Sequence, residues 1–105
     1  MPARIVRSLD AERDLTDLFD TIAQDSGIDR AEAVLRRIQQ TLDNLANFPR
    51  IGRIRRDLLG SPRSFSIWPW LVIYEPDGDG DSIVVWRVLD GRRDIPRTIL
   101  GRPKR

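Results

Sequence analysis

The sequence predicts an α+β fold of order β-α-α-β-β-β, an antiparallel sheet with a helical hairpin on one face, in a single domain over residues 1–105. Three observations predict it. Apolar residues recur with a 3.6-residue period through most of the first half. From Arg63 onward the period falls to two, and branched and aromatic residues dominate. Breaks fall between the periodic segments, at Gly27, Pro49 and "PDGDGD".

Taken in order, "ARIVRS" is short and apolar-centred and reads as an opening strand. Ser8 follows as an N-cap, because its hydroxyl can accept from a first-turn amide, and acids stand where the helix dipole favours them. Ala11, Leu15, Leu18, Phe19, Ile22 and Ala23 then form the stripe of an amphipathic helix over 9–25. Gly27 ends it. Asp29 and Glu32 have capping-box spacing and open a second helix, whose stripe runs through Val34, Leu35, Ile38, Leu42, Leu45 and Ala46 until Pro49 stops it. So short a connection makes the pair an antiparallel hairpin. "RSFSIW", "WLVIYE" and "SIVVWRVLD" read as strands, the last two joined by the turn "PDGDGD", and a short segment follows Pro96. Two helices cover one face of such a sheet and leave the other at least partly open.

Composition narrows the function. With 40% apolar and 32% charged residues the chain is globular and not disordered. "LVIY" and "IVVW" are too short to span a bilayer, and the start lacks a signal peptide's apolar stretch, so the cytoplasm is the expected location. The absence of cysteine excludes disulfides and thiolate metal sites; the absence of histidine removes the commonest general acid–base and the commonest nitrogen ligand. Neither a cofactor nor a metal is expected. The net charge of +2 is divided: residues 1–49 carry six arginines against nine acids, and residues 50–105 carry eleven arginines and one lysine against seven acids. Arginine offers a planar fork for phosphate or carboxylate.

Two arginine clusters stand out. "NFPRIGRIRRDL", beginning at Asn47, carries Arg50, Arg53, Arg55 and Arg56, and "DGRRD" runs from Asp90 to Asp94. With "PRSFSIWPWLVIYEPDGDG" and "IVVWRVLDGRRDIP", in this order and in so short a chain, these stretches resemble the RelE/ParE family of toxins from bacterial toxin–antitoxin pairs. The resemblance runs almost end to end. It implies a compact α+β toxin neutralised by a small antitoxin, ParD-like or similar. RelE-like members cleave messenger RNA on the ribosome, whereas ParE-like members inhibit DNA gyrase. By the resemblance, Arg55 or Arg56 matches the basic loop, Arg63 the arginine opening the next strand, and Arg93 the arginine after the last strand. Arg55, Arg63 and Arg93 are the phosphate-holding set if the chain is a ribonuclease. Arg53, Arg55, Arg56, Arg63, Arg92 and Arg93 are the target-binding candidates on either reading. Leu15, Leu18, Trp68 and Trp86 are the antitoxin-binding candidates.

The chemistry favours the ParE-like branch. Attack by a ribose 2′-hydroxyl needs a base and an acid, and arginine, with a pKa of about 12.5–13.8, shuttles protons poorly at neutral pH. The one lysine, Lys104, lies in the tail; the one tyrosine, Tyr74, lies mid-strand in a position suited to packing; and "DIPRTIL" after Arg93 supplies neither tyrosine nor histidine. A buried Glu75, Asp90 or Asp94 could serve as base, yet each is more simply a strand-end or turn residue. Asp77, Asp79 and Asp81 alternate as in a calcium loop, but Ser82 and Val88 stand where glycine and glutamate are needed, so a solvated turn is expected. "GRRD" is as readily a clasp, with Asp90 and Asp94 pairing the arginines, as a contact surface. The chemistry leaves open a ribosome-dependent ribonuclease and a non-toxic relative that only binds its partner.

Overall fold

The structure, a computed structural model, describes residues 4–78 and 82–92. Its elements are β1 (Arg4–Arg7), α1 (Leu9–Ser26), α2 (Ile28–Asn47), β2 (Arg53–Ile54), β3 (Arg63–Ile67), β4 (Trp70–Asp77) and β5 (Ser82–Asp90). The five strands form one sheet in the order β1-β5-β4-β3-β2. Neighbours are antiparallel except β1, which runs parallel to β5 from Arg4 opposite Ser82 to Arg7 opposite Val85. The sheet is therefore mixed at one edge, where a wholly antiparallel one was expected. Two strands so far apart in sequence carry no local signal of their direction. β2, only two residues long, was not anticipated.

The helical stripes seat the hairpin on one face. α2 is the anchor, with six buried positions against one in α1, and its Ile38, Leu42 and Leu45 pack with Val72, Tyr74, Ile83 and Val85 of the sheet. Leu42 is fully buried, so truncation to alanine should cost about 2–5 kcal/mol. Ser8 caps α1 as expected, its hydroxyl accepting from Ala11 N at 3.0 Å. The expected capping box at Asp29 is not formed. Gly27, at φ 92°, ends α1 and begins α2, so one residue reverses the chain and Asp29 lies inside the first turn. A side chain would strain that φ.

The opposite face has its own smaller cluster of Leu58, Ile73, Val84 and Trp86. The connection between β2 and β3 lays Leu58 over it, and Gly60 sits on the Trp86 ring. A register shift between Ile73 and Tyr74 interrupts the β4–β5 ladder, with Arg87 opposite Ile73 and Val85 opposite Tyr74. α1 takes up the backbone groups around it: Ser8 Oγ donates to Trp86 O at 2.7 Å, and Val88 N donates to Asp14 Oδ2 at 2.9 Å. The same Asp14 receives Arg87 through Nε at 2.7 Å and Nη2 at 2.9 Å. Among the described residues no helix is long and apolar enough to cross a membrane.

Candidate functional site

α2 stops at Asn47, and the chain enters the sheet through the arginine-rich connection. The first residues of that connection are held by two side chains from the strands. The Tyr74 hydroxyl donates to Pro49 O and accepts from Gly52 N, both at 2.9 Å. Arg63 Nη1 donates to Gly52 O at 2.8 Å and to Arg50 O at 3.1 Å. Burial pushes the Tyr74 phenol up, with the Gly52 N–H and the Arg63 charge acting the other way. Gly52 is required by close approach: a Cβ there would collide with the Tyr74 hydroxyl and lie 2.9 Å from Ser64 O.

Arg55 is also engaged internally. Its Nε and Nη2 meet the two oxygens of Asp57 at 2.9 and 2.8 Å, and its Nη1 lies 3.4 Å from Ser64 Oγ. The hydrogen bond from Arg55 holds the Asp57 carboxyl down at about 2, and Asp57 raises the Arg55 guanidinium in turn. Of the sequence-predicted target residues, then, Arg55 and Arg63 are fastened to the fold. Arg53 and Arg56 are exposed, as is Arg50, and none of the three makes a side-chain hydrogen bond among the described residues. Between them stand Ile51 and Ile54, 50% and 41% exposed, and Phe48 lies just before at 60%. The alternation "RIGRIRR" was the available signal for this mixed basic and apolar edge.

At the far end of the sheet, Arg92 is gripped by Asp90 through Nε at 3.0 Å and Nη2 at 2.8 Å, and its own N–H reaches the same carboxylate. Asp90 raises the Arg92 pKa by that bond. The clasp that was one of two readings of "GRRD" thus exists for Arg92; Arg93 and Asp94 lie outside the described residues, as do Asp79 and Asp81 of the β4–β5 turn. Trp68 stands 66% exposed at the β3–β4 turn.

The helical hairpin carries a groove of about 580 Å³. Leu15, Phe19 and Leu35 give it an apolar lining, and Arg7 and Arg36 face Glu12, Asp20 and Glu32 around it. Arg7 is oriented by a hydrogen bond to Gln39, which in turn donates to Asp43 at 3.0 Å. Of the residues expected to meet an antitoxin, Leu15 and Leu18 both pack against the core, and of the two Leu15 also lines this groove. Trp86 must be corrected. It is 1% exposed, sealed under the β2–β3 connection, and presents no surface in this conformation. A tryptophan in an alternating strand gives no sign of which face a distant loop will cover. Phe19 was read only as core stripe, yet it lines the groove half-exposed.

Among the described residues no group of three or more acidic side chains is placed to hold a metal ion. Residues 5–95 match the family described as the ParE toxin of the type II toxin-antitoxin system parDE. The chain belongs to the ParE toxin family. Toxin ParE3 of Caulobacter vibrioides is 37% identical over 92 residues, covering 88% of this chain and 90% of that protein. Toxin ParE1 of Mycobacterium tuberculosis is 33% identical over 99 residues, covering 94% and 100%. In fold, this ParE-family chain is similar to a solved chain of the chromosomal ParDE system from P. aeruginosa, with a TM-score of 0.67 at 18% identity over 83% of this chain and 94% of that one. It is also similar to one from the toxin–antitoxin complex RelBE2 of Mycobacterium tuberculosis, with a TM-score of 0.57 at 24% identity over 84% and 96%. The ParE match takes in both helices, the groove and the basic connection.

Proposed function

We propose that the chain inhibits DNA gyrase and is neutralised by a cognate antitoxin. The observation that carries the gyrase reading is the engagement of Arg55 and Arg63. A ribonuclease would need these forks for phosphate, and here Arg55 is bound to Asp57 through Nε and Nη2, while Arg63 is held by two backbone carbonyls at Nη1. The sequence has no histidine, and its one tyrosine is buried with its hydroxyl committed. The two described arginines assigned to phosphate on the ribonuclease reading are thus engaged within the fold, and no histidine or uncommitted tyrosine stands by as a proton relay, while a protein target needs no such machinery. The family and its neighbours, described as toxin–antitoxin systems and complexes, support the antitoxin. The α1–α2 groove supplies its seat: an apolar floor for one face of an amphipathic helix, with rim charges of both signs to set its register.

The deciding experiment adds the purified protein to gyrase supercoiling reactions and, in parallel, to translating ribosomes. Loss of supercoiling with intact messages is expected. Cut messages with normal supercoiling would establish the ribonuclease, and no effect in either would leave a chain that only binds its partner.

A further inference from the structure

We infer that the open β2 edge is a docking strip for an extended acidic segment of a protein partner, which adds to the sheet as a sixth strand. The inference deepens the toxin reading and rests on it only for the identity of the target. β2 ends the strand order, so its outer side is unpaired among the described residues. Arg55 N donates to Pro62 O at 2.7 Å, which puts Arg55 at a hydrogen-bonded position of the β2–β3 ladder. Its neighbour Ile54, opposite Arg63, therefore turns its N–H and C=O outward. Those groups can be satisfied by another backbone.

The side chains select the occupant. Arg50, Arg53 and Arg56 stand exposed along the strip and have no side-chain hydrogen bonds among the described residues. Like charge disfavours a second copy of this chain, so carboxylates are the match. Ile51, Ile54 and Phe48, all more than 40% exposed, add an apolar component that phosphate would leave wet. Only a polypeptide meets all three demands: backbone pairing, carboxylates and apolar side chains. The strip is also held ready. Tyr74 and Arg63 fasten the backbone just before it, so little order is lost when a partner docks.

The test uses the whole protein and three probes: a capped peptide alternating aspartate with valine, its lysine–valine counterpart, and a single-stranded RNA of equal length. The acidic peptide should bind best and slow hydrogen exchange at the Ile54 amide. Ile54→Pro removes the outward donor while sparing the ladder to β3, and should weaken the peptide at least tenfold with the melting temperature kept. Should that variant unfold, amide protection in the unmodified protein still decides. An unprotected Ile54 amide at saturating peptide, peptide binding unchanged in a folded Ile54→Pro, or tighter binding of RNA would each overturn the inference. If gyrase ignores the unmodified protein while the peptide still protects Ile54, the gyrase reading falls and the docking strip stands.

Discussion

Tyr74 shows how one oxygen can organise a surface it never reaches. Its hydroxyl satisfies a buried donor and a buried acceptor in the connection at once, so Tyr74→Phe leaves both unpaired and should cost about 1–3 kcal/mol. Chemical denaturation measures that loss, and faster amide exchange at Gly52 would locate it. Gly52→Ala should cost a similar amount, about 1–3 kcal/mol, by overpacking against the same ring. That Tyr74 is buried was legible from its place in a strand. Its task was not, because its partners lie 22 and 25 positions away. At Asp57 the pH consequence has a definite sign. Its folded pKa, about 2, lies below the ordinary 3.8, so the Arg55 bond contributes fully above that ordinary value and is lost as pH falls through about 2. Following the carboxyl by NMR should give a midpoint near 2, and Arg55→Met should move it up toward the ordinary value.

Among the elements, the two helices and three long strands could be read because each has its own periodicity within a short window. What escaped was the parallel pairing of β1, whose partners in β5 lie more than seventy positions away, and the interruption in the β4–β5 ladder, which has no mark in either strand's alternation. Gly27 is legible as the end of α1, but its second role as the start of α2 escaped for a different reason. The Asp29–Glu32 spacing imitates a cap, but a glycine that can adopt φ 92° starts the helix sooner. α1 is fastened to β5 through Asp14, which holds Arg87 by two bonds and Val88 N by a third. Both side chains of the pair are mostly covered, at 14% and 17% exposure. Asp14→Ala should therefore destabilise the fold by about 1.5–3 kcal/mol, the range for hydrogen bonds to a charged group. Removing Arg87 as well should cost less than the two single changes added together, because the stranded cation is then gone. A double-mutant cycle by thermal melting checks the coupling.

Across the molecule, the contacts proposed for the helical groove and for the arginine strip fall on different surfaces and should be separable by mutation. Phe19 lines the groove and stands apart from the core cluster, so Phe19→Glu should weaken antitoxin binding by about 2 kcal/mol or more while leaving melting nearly unchanged. Calorimetric titration with the cognate antitoxin reads this directly. The charge division needed only counting, but its consequence for the site did not follow from composition: two of the arginines with the strongest resemblance to functional residues turned out to be fasteners. The strand order carries a last consequence, one of timing. Among the described residues β1 has its only strand neighbour in β5, and Ser8 waits for Trp86, 78 positions later. During synthesis at 5–20 residues per second, the opening strand would remain unmatched for roughly 4–16 s. No nascent fragment that ends before β5 can close the sheet, and closing so long a loop makes folding slow as well as late. An activity that needs the closed sheet can begin only after β5 has left the ribosome, so an antitoxin of the kind proposed, if made in the same burst, has time to be waiting.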